Sequence, residues 1–260
     1  MSPFDDVPLA EIERLSQVAV SEDEIAFLIA CLGQSRKAVQ RRAAEALAAA
    51  ANRGVPVAEA LQHALDDATP ARRWGAAYTL SLIGTPPPAV LPILVEVLGS
   101  PDGDLRWAAA DIVKRLGPIV TSHLLRLARD GHAPQRKMAL YCLRDLRVTG
   151  EEGAAAVCAG LKDSDPGVRL AALAALPHLG LNGATATDWG LSLVNDGDAG
   201  VRRAAIATLG SLGHRTPKVD EIVLRAARNA DDPGSQRAAA RAMKLLGITH
   251  SSGRGGPSSD

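Results

Sequence analysis

The side chains best suited to metal binding or nucleophilic chemistry are six histidines (His63, His123, His132, His178, His214, His250) and three cysteines (Cys31, Cys142, Cys158). Their spacing argues against both uses. No HExxH, HxH or His-Glu pair occurs, so a metal would have to be gathered from distant segments. The cysteines are odd in number, far apart and without CxxC, which suggests neither a disulfide framework nor a zinc ribbon and fits a reducing, cytoplasmic setting. Cys142 and Cys158 stand in apolar stretches and read as small core residues. GxSxG, GxxxxGK[ST] and a GxGxxG entering a helix are absent. No catalytic, cofactor-binding or metal-binding residue is expected. What remains is recognition chemistry: the rings of Trp74, Tyr78, Trp107 and Tyr141, with the charges of Asp111, Lys114, Lys137 and Arg144 nearby in register.

The elements that position these residues follow from an internal repeat. Gln40, Arg73, Arg106, Arg136, Arg169, Arg202 and Gln236 recur at spacings of 33, 33, 30, 33, 33 and 34. Three residues after each anchor stands alanine in all seven units. Seven after it stand Leu47, Leu80, Val113, Leu143, Leu176, Leu209 and Met243. Offsets of 3 and 7 share one helical face, so each anchor lies on a helix that buries a small residue beside a large one. Gly84, Gly117, Gly180, Gly213 and Gly247, at offset 11, predict left-handed helix stops. Thr69-Pro70, Asp102, Asp165-Pro166, Asp198 and Asp232-Pro233 predict capped helix starts. Second amphipathic segments near 21–33, 56–66, 87–99, 118–129, 151–162, 184–195 and 216–229 complete about seven helical hairpins, which must stack to bury their apolar faces.

Composition agrees. Aromatics make up 3% of the chain, so a close-packed Ala/Leu/Val core is required, and 29 basic residues balance 29 acidic ones. The total charge therefore selects no partner, and only its distribution can. No basic, apolar leader opens the sequence. Apolar runs such as 89–98 fall short of the roughly 18 residues a membrane span needs, so a soluble protein is expected.

The repeat resembles the HEAT family, in its short bacterial form related to the phycobilisome-lyase type. The resemblance rests on a turn Asp followed six residues later by Arg: Asp67 with Arg73, Asp130 with Arg136, Asp163 with Arg169 and Asp196 with Arg202. Ser100 with Arg106 is a weaker version, while Gln34/Gln40 and Ala230/Gln236 depart from it at the two ends, as capping units would. The resemblance implies an all-α superhelical solenoid over 21–247. An N-terminal cap segment is expected at 1–20, with a helix near 9–19, and a disordered tail at 248–260. It also implies that each anchor arginine pairs with its preceding Asp, and that anchor helices line the concave side.

Offsets 1, 5 and 8 would then face the concavity. They hold Trp74, Tyr78, Trp107 and Tyr141, and eight cations (Arg41, Lys114, Lys137, Arg144, Arg203, Arg237, Arg241, Lys244) against Glu45 and Asp111. A wall of one sign favours an anionic partner. The expected function is a non-enzymatic scaffold that binds a protein or peptide, preferably acidic. Two other resemblances imply different functions. Trp107, Asp111, Tyr141 and Arg144 are loosely similar to the site of HEAT-like alkylpurine DNA glycosylases, where Asp111 would stabilise a sugar cation and Arg144 bind phosphate. HEAT-like phycobilin lyases and chaperones share the repeats. The metal-binding His-Glu pairs of a HEAT-type deoxyhypusine hydroxylase are missing.

Overall fold

The computed structural model describes residues 9–229 and 232–249, and every regular element among them is helical. The chain divides into two compact units, one ending at His123 and the other beginning at Leu124. The first contains α1 (Leu9–Gln17), α2 (Glu22–Cys31), α3 (Lys37–Asn52), α4 (Ala58–Ala64), α5 (Pro70–Ile83), α6 (Leu91–Val97) and α7 (Gly103–Leu116). The division falls within α8 (Thr121–Asp130). The second contains α9 (Ala133–Asp145), α10 (Gly150–Gly160), α11 (Pro166–Ala175), α12 (Gly183–Leu191), α13 (Ala199–Leu212), α14 (Pro217–Arg228) and α15 (Pro233–Leu246).

Within each unit the anchor helices pack side by side, α3 on α5 on α7 and α9 on α11 on α13 on α15. The intervening helices pair with them as hairpins, for instance α4 with α5 and α12 with α13. This is the all-α, α-α solenoid class. Its core is the offset pattern made physical: the seven alanines at offset 3 are fully buried, and the larger residues at offset 7 are at most 7% exposed. Each buried Leu such as Leu47 contributes about 1.5–3 kcal/mol, and the alanines let neighbouring helix backbones approach closely. The α1 helix packs on α3 through fully buried Ile12 and Leu15.

Helix ends follow the caps with instructive exceptions. Asp102, Asp165, Asp198 and Asp232 accept backbone N–H groups of the first turn, whereas Thr69 makes no cap bond. Gly117, Gly180, Gly213 and Gly247 all have positive φ, with Gly213 and Gly247 in the left-handed helical conformation and Gly117 departing from it at ψ −147, but Gly84 is extended, because the chain leaves α5 directly into the 85–88 segment with its three prolines. At offset 11 of the α9 unit, where glycine is missing, Arg147 takes the left-handed conformation instead (φ 52). The last helix closes with Ile248 donating to the Met243 carbonyl at 2.9 Å and burying its side chain. Ile248 thus belongs to the final hairpin and not to a tail. Residues 250–260, most of the expected disordered tail, lie outside the described residues, as do His250, Ala230 and residues 1–8 of the expected cap segment.

The arginine ladder corrects the pairing expected within a repeat. Arg169 donates to the backbone carbonyl of its own Asp163 at 2.8 Å and reaches the carboxylate of the following unit's Asp196, also at 2.8 Å. Arg136 likewise grips Asp163 through two bonds of 2.7 and 2.8 Å. Arg202 takes the Asp196 carbonyl at 2.9 Å. The six-residue spacing therefore reaches a carbonyl, and the carboxylates stitch one repeat to the next. In the first unit Arg73 takes the Asp67 carbonyl and turns to Glu96, while the Asp67 carboxylate is held by Arg72 at 2.6 Å. Gln40 donates to the Gln34 carbonyl, so the end unit keeps the carbonyl contact without a charge.

Candidate functional site

The anchor helices of the first unit bring their N-terminal halves together around a pocket of about 120 Å³. Lys37, Gln40, Arg41 and Ala44 come from α3, Trp74, Gly75 and Tyr78 from α5, and Asp104, Leu105 and Ala108 from α7. Gly75 permits this placement of α5, since a Cβ there would stand 2.6 Å from the Leu32 Cβ. Trp74 and Tyr78, one helical turn apart, form an aromatic wall with ring centroids 5.8 Å apart and planes at 35°. Such a volume is well below the roughly 300–1,000 Å³ of small-molecule sites. It suits a single inserted side chain.

The charges around the rim are unequal in availability. Lys37 bridges from α3 to the start of α7, its ammonium 2.5 Å from Asp102 and 3.7 Å from Asp104. The Lys37 ammonium holds the Asp102 carboxyl below its usual range, assisted by the backbone N–H groups that Asp102 caps. Arg41 is exposed and has no ion-pair partner among the described residues. It is the cation at this rim left to meet a ligand. Behind the indole lies a second cleft of about 440 Å³ between α5, α6 and the start of α7, and Gln40, Trp74 and Leu105 line both spaces.

The sequence-derived site residues scatter by environment. Trp74, expected on an exposed face, is only 8% exposed and belongs to the core as well as to the pocket wall. It is covered because α5 lies between two other anchor helices. Trp107, at the same offset on α7, is 49% exposed and outside the pocket lining; no further anchor helix follows α7 within its unit. Tyr78 is half-buried at the pocket. Asp111 is exposed and lies 2.6 Å from Lys114 on its own helix. In the second unit, Lys137 lies against Gly167 at the start of α11. Tyr141 is half-buried, and burial pushes its phenol above the ordinary value against the opposing pull of Arg144. Arg144 stacks 5.1 Å from the Tyr141 ring centroid and pairs with Asp145 at 2.7 Å.

Two expectations about the stripe need correction. Offset 8 does not face solvent at Ala48, Ser81 or Gly210, because there an anchor helix meets its neighbour; a Cβ on Gly210 would stand 2.7 Å from the Ala242 Cα. The basic excess is also reduced by Asp145, an acid outside the stripe that pairs with Arg144. Sequence reasoning missed Lys37, Gln40, Asp104 and Leu105 as pocket residues. They lie at offsets −3, 0, −2 and −1, so extending the stripe toward the helix starts would have found them.

Among the described residues, no group of three or more His, Cys, Asp or Glu side chains is placed to hold a metal ion. Cys31 is buried, which pushes its thiol up to about 11, and Cys142 is buried, while Cys158 is half-buried. No helix among the described residues is long and apolar enough to cross a membrane.

Comparison with known proteins agrees with this architecture. A family model described as HEAT repeats matches residues 25–114 and 154–244. No curated protein matches by sequence. Among solved structures, the Escherichia coli protein YibA is similar over 92% of this chain and 96% of its own, at 17% identity and a TM-score of 0.55. A designed armadillo repeat protein in complex with the peptide (KR)4 is similar over 86% of this chain and 99% of its own, at 15% identity and a TM-score of 0.45. Human deoxyhypusine hydroxylase gives 94% and 93% coverage, 19% identity and a TM-score of 0.40.

Proposed function

Since the chain belongs to the HEAT-repeat family, we propose that it is a non-enzymatic scaffold that binds a protein or peptide on the exposed face of its anchor helices, with a preference for acidic segments. The observation that carries this reading is the α3–α5–α7 pocket, whose Trp74–Tyr78 wall receives an apolar or aromatic side chain while Arg41 meets a neighbouring carboxylate. Buried aromatic contact supplies the affinity, and the rim charge selects among partners. Trp107 offers a second, exposed contact on α7. Asp111 has no catalytic role in this scheme, since its carboxylate is exposed and neutralised by Lys114 instead of aimed into a pocket.

The test is selection of random dodecapeptides displayed on phage by the full chain. Enriched sequences should pair an apolar or aromatic residue with Asp or Glu. Arg41→Gln should erase the acidic bias, and Tyr78→Ala the apolar one. Selection that enriches nothing, or peptides bound equally by both variants, contradicts the proposal.

A further inference from the structure

The second unit carries a charged surface that the pocket does not explain. The α15 helix contains no acidic residue, and its Arg237, Arg241 and Lys244 are all exposed. Spacings of four and three residues put them in one row, with rises of about 6 and 4.5 Å along the axis. Among the described residues none of the three has an ion-pair partner. Like charges one turn apart oppose helix formation, so the helix itself gains nothing from the row.

The neighbouring α13 extends this surface. Arg203 drapes over the start of α15, where only glycine leaves room: a Cβ on Gly234 would fall 2.3 Å from the Arg203 Cδ. Its guanidinium stops 4.0 Å from Asp232, whose carboxylate already caps α15 by accepting from the Ser235 N–H and hydroxyl. Burial of the offset-8 position gives the face a low floor, with Gly210 against Ala242 and Leu245 resting 3.5 Å from the Cβ position of Gly210. Leu245 remains 54% exposed beside the basic row. The face thus combines four cations, one committed acid, a shallow floor of small residues and an apolar contact.

We propose that this α13–α15 face binds an extended acidic peptide segment, independently of the α3–α5–α7 pocket. Alternate side chains of an extended peptide project about 6.8 Å apart, close to the rise between Arg237 and Arg241. Glutamates at alternate positions therefore meet successive cations, and the small-residue floor admits the peptide backbone. Nucleic acid fits the face less well. Residues 199–246 contain no Phe, Tyr or Trp on which bases could stack, their one histidine, His214, is engaged with Thr187 of α12, and the exposed contact is aliphatic.

The experiment is fluorescence anisotropy with the full chain and a fluorescein-labelled ten-residue peptide of alternating Glu and Ala. The Gln/Ala counterpart and a ten-nucleotide oligothymidylate are run alongside. The acidic peptide should bind about tenfold or more tighter than its Gln counterpart. Combined Arg237→Gln, Arg241→Gln and Lys244→Gln should abolish that difference without lowering the melting temperature. Arg237→Lys with Arg241→Lys should retain it. Arg41→Gln and Tyr78→Ala should leave this binding unchanged, which separates the face from the pocket. Equal affinity for the Glu and Gln peptides, unchanged binding by the triple variant, loss in Arg41→Gln instead, or tighter binding of the oligonucleotide would each overturn the proposal.

Discussion

Trp74 and Trp107 occupy the same position in adjacent repeats, yet replacing them should have opposite consequences. Trp74 is 8% exposed, so Trp74→Ala removes a nearly complete set of packing contacts. Buried Trp→Ala changes cost about 3–5 kcal/mol. Here the indole separates spaces of about 120 and 440 Å³, and its loss joins them into one cleft that water can enter. Water entry relieves part of the void penalty and places the expected loss near the lower end, about 3 kcal/mol. For a chain of this size that lowers the melting temperature by about 6–12 °C. Trp107, half exposed, should cost about 1 kcal/mol or less. Circular-dichroism melts of the two single variants at one protein concentration provide the assay. Equal shifts, or a Trp74→Ala melt within about 1 °C of wild type, would refute the assignment of Trp74 to the core. The distinction bears on function, because loss of binding in Trp74→Ala confounds recognition with folding, whereas Tyr78, Arg41 and Trp107 can be changed without dismantling the unit.

Three further predictions concern the framework. Asp163→Asn breaks the two-bond grip of Arg136, whose side chain is 21% exposed, and should cost about 1–3 kcal/mol by urea denaturation at neutral pH. Because Arg136, aided by the Asp165 N–H, holds the Asp163 carboxyl below its ordinary range, the ionised form stabilises the fold above about pH 4 and that contribution is lost as pH falls through the lowered value. The gap between variant and wild type should therefore close in acid; a gap that widened there would contradict the ladder. Gly210→Val should lower stability by about 1–3 kcal/mol, since its Cβ would meet the Ala242 backbone, and an unchanged melt would show that α13 and α15 are not in close contact. Arg147→Gly should raise stability by about 0.5–1 kcal/mol by relieving a left-handed non-glycine residue, and a lower melting temperature would count against that backbone conformation.

Much of the framework was legible because the repeat samples the same physics seven times. Offsets 3 and 7 named core positions that are all buried, and Asp102, Asp165, Asp198 and Asp232 announced their helix starts through capping chemistry. Periodicity specifies position along a helix, but it is blind to what lies across from that position. Trp74 and Trp107 are equivalent by offset and differ in burial because α5 has anchor helices on both sides within its unit while α7 has one. The same blindness explains the ladder. A spacing of six residues suggests a pair within the repeat, yet Arg169 spends that reach on a carbonyl and finds its carboxylate 27 residues downstream. Lys37 and Asp104 entered the pocket from helix starts, where they approach one another across α5, a relation no single-helix pattern encodes.

The measurement that tests the central claim most directly is hydrogen–deuterium exchange of the full chain with and without a peptide obtained by the display selection. Binding on the anchor-helix face predicts protection concentrated in α3, α5 and α7, centred on 37–44, 74–78 and 104–108, and absent in the Tyr78→Ala variant. Protection confined to α2, α4 and α6, or a selected peptide that leaves exchange of all these helices unchanged, would contradict it.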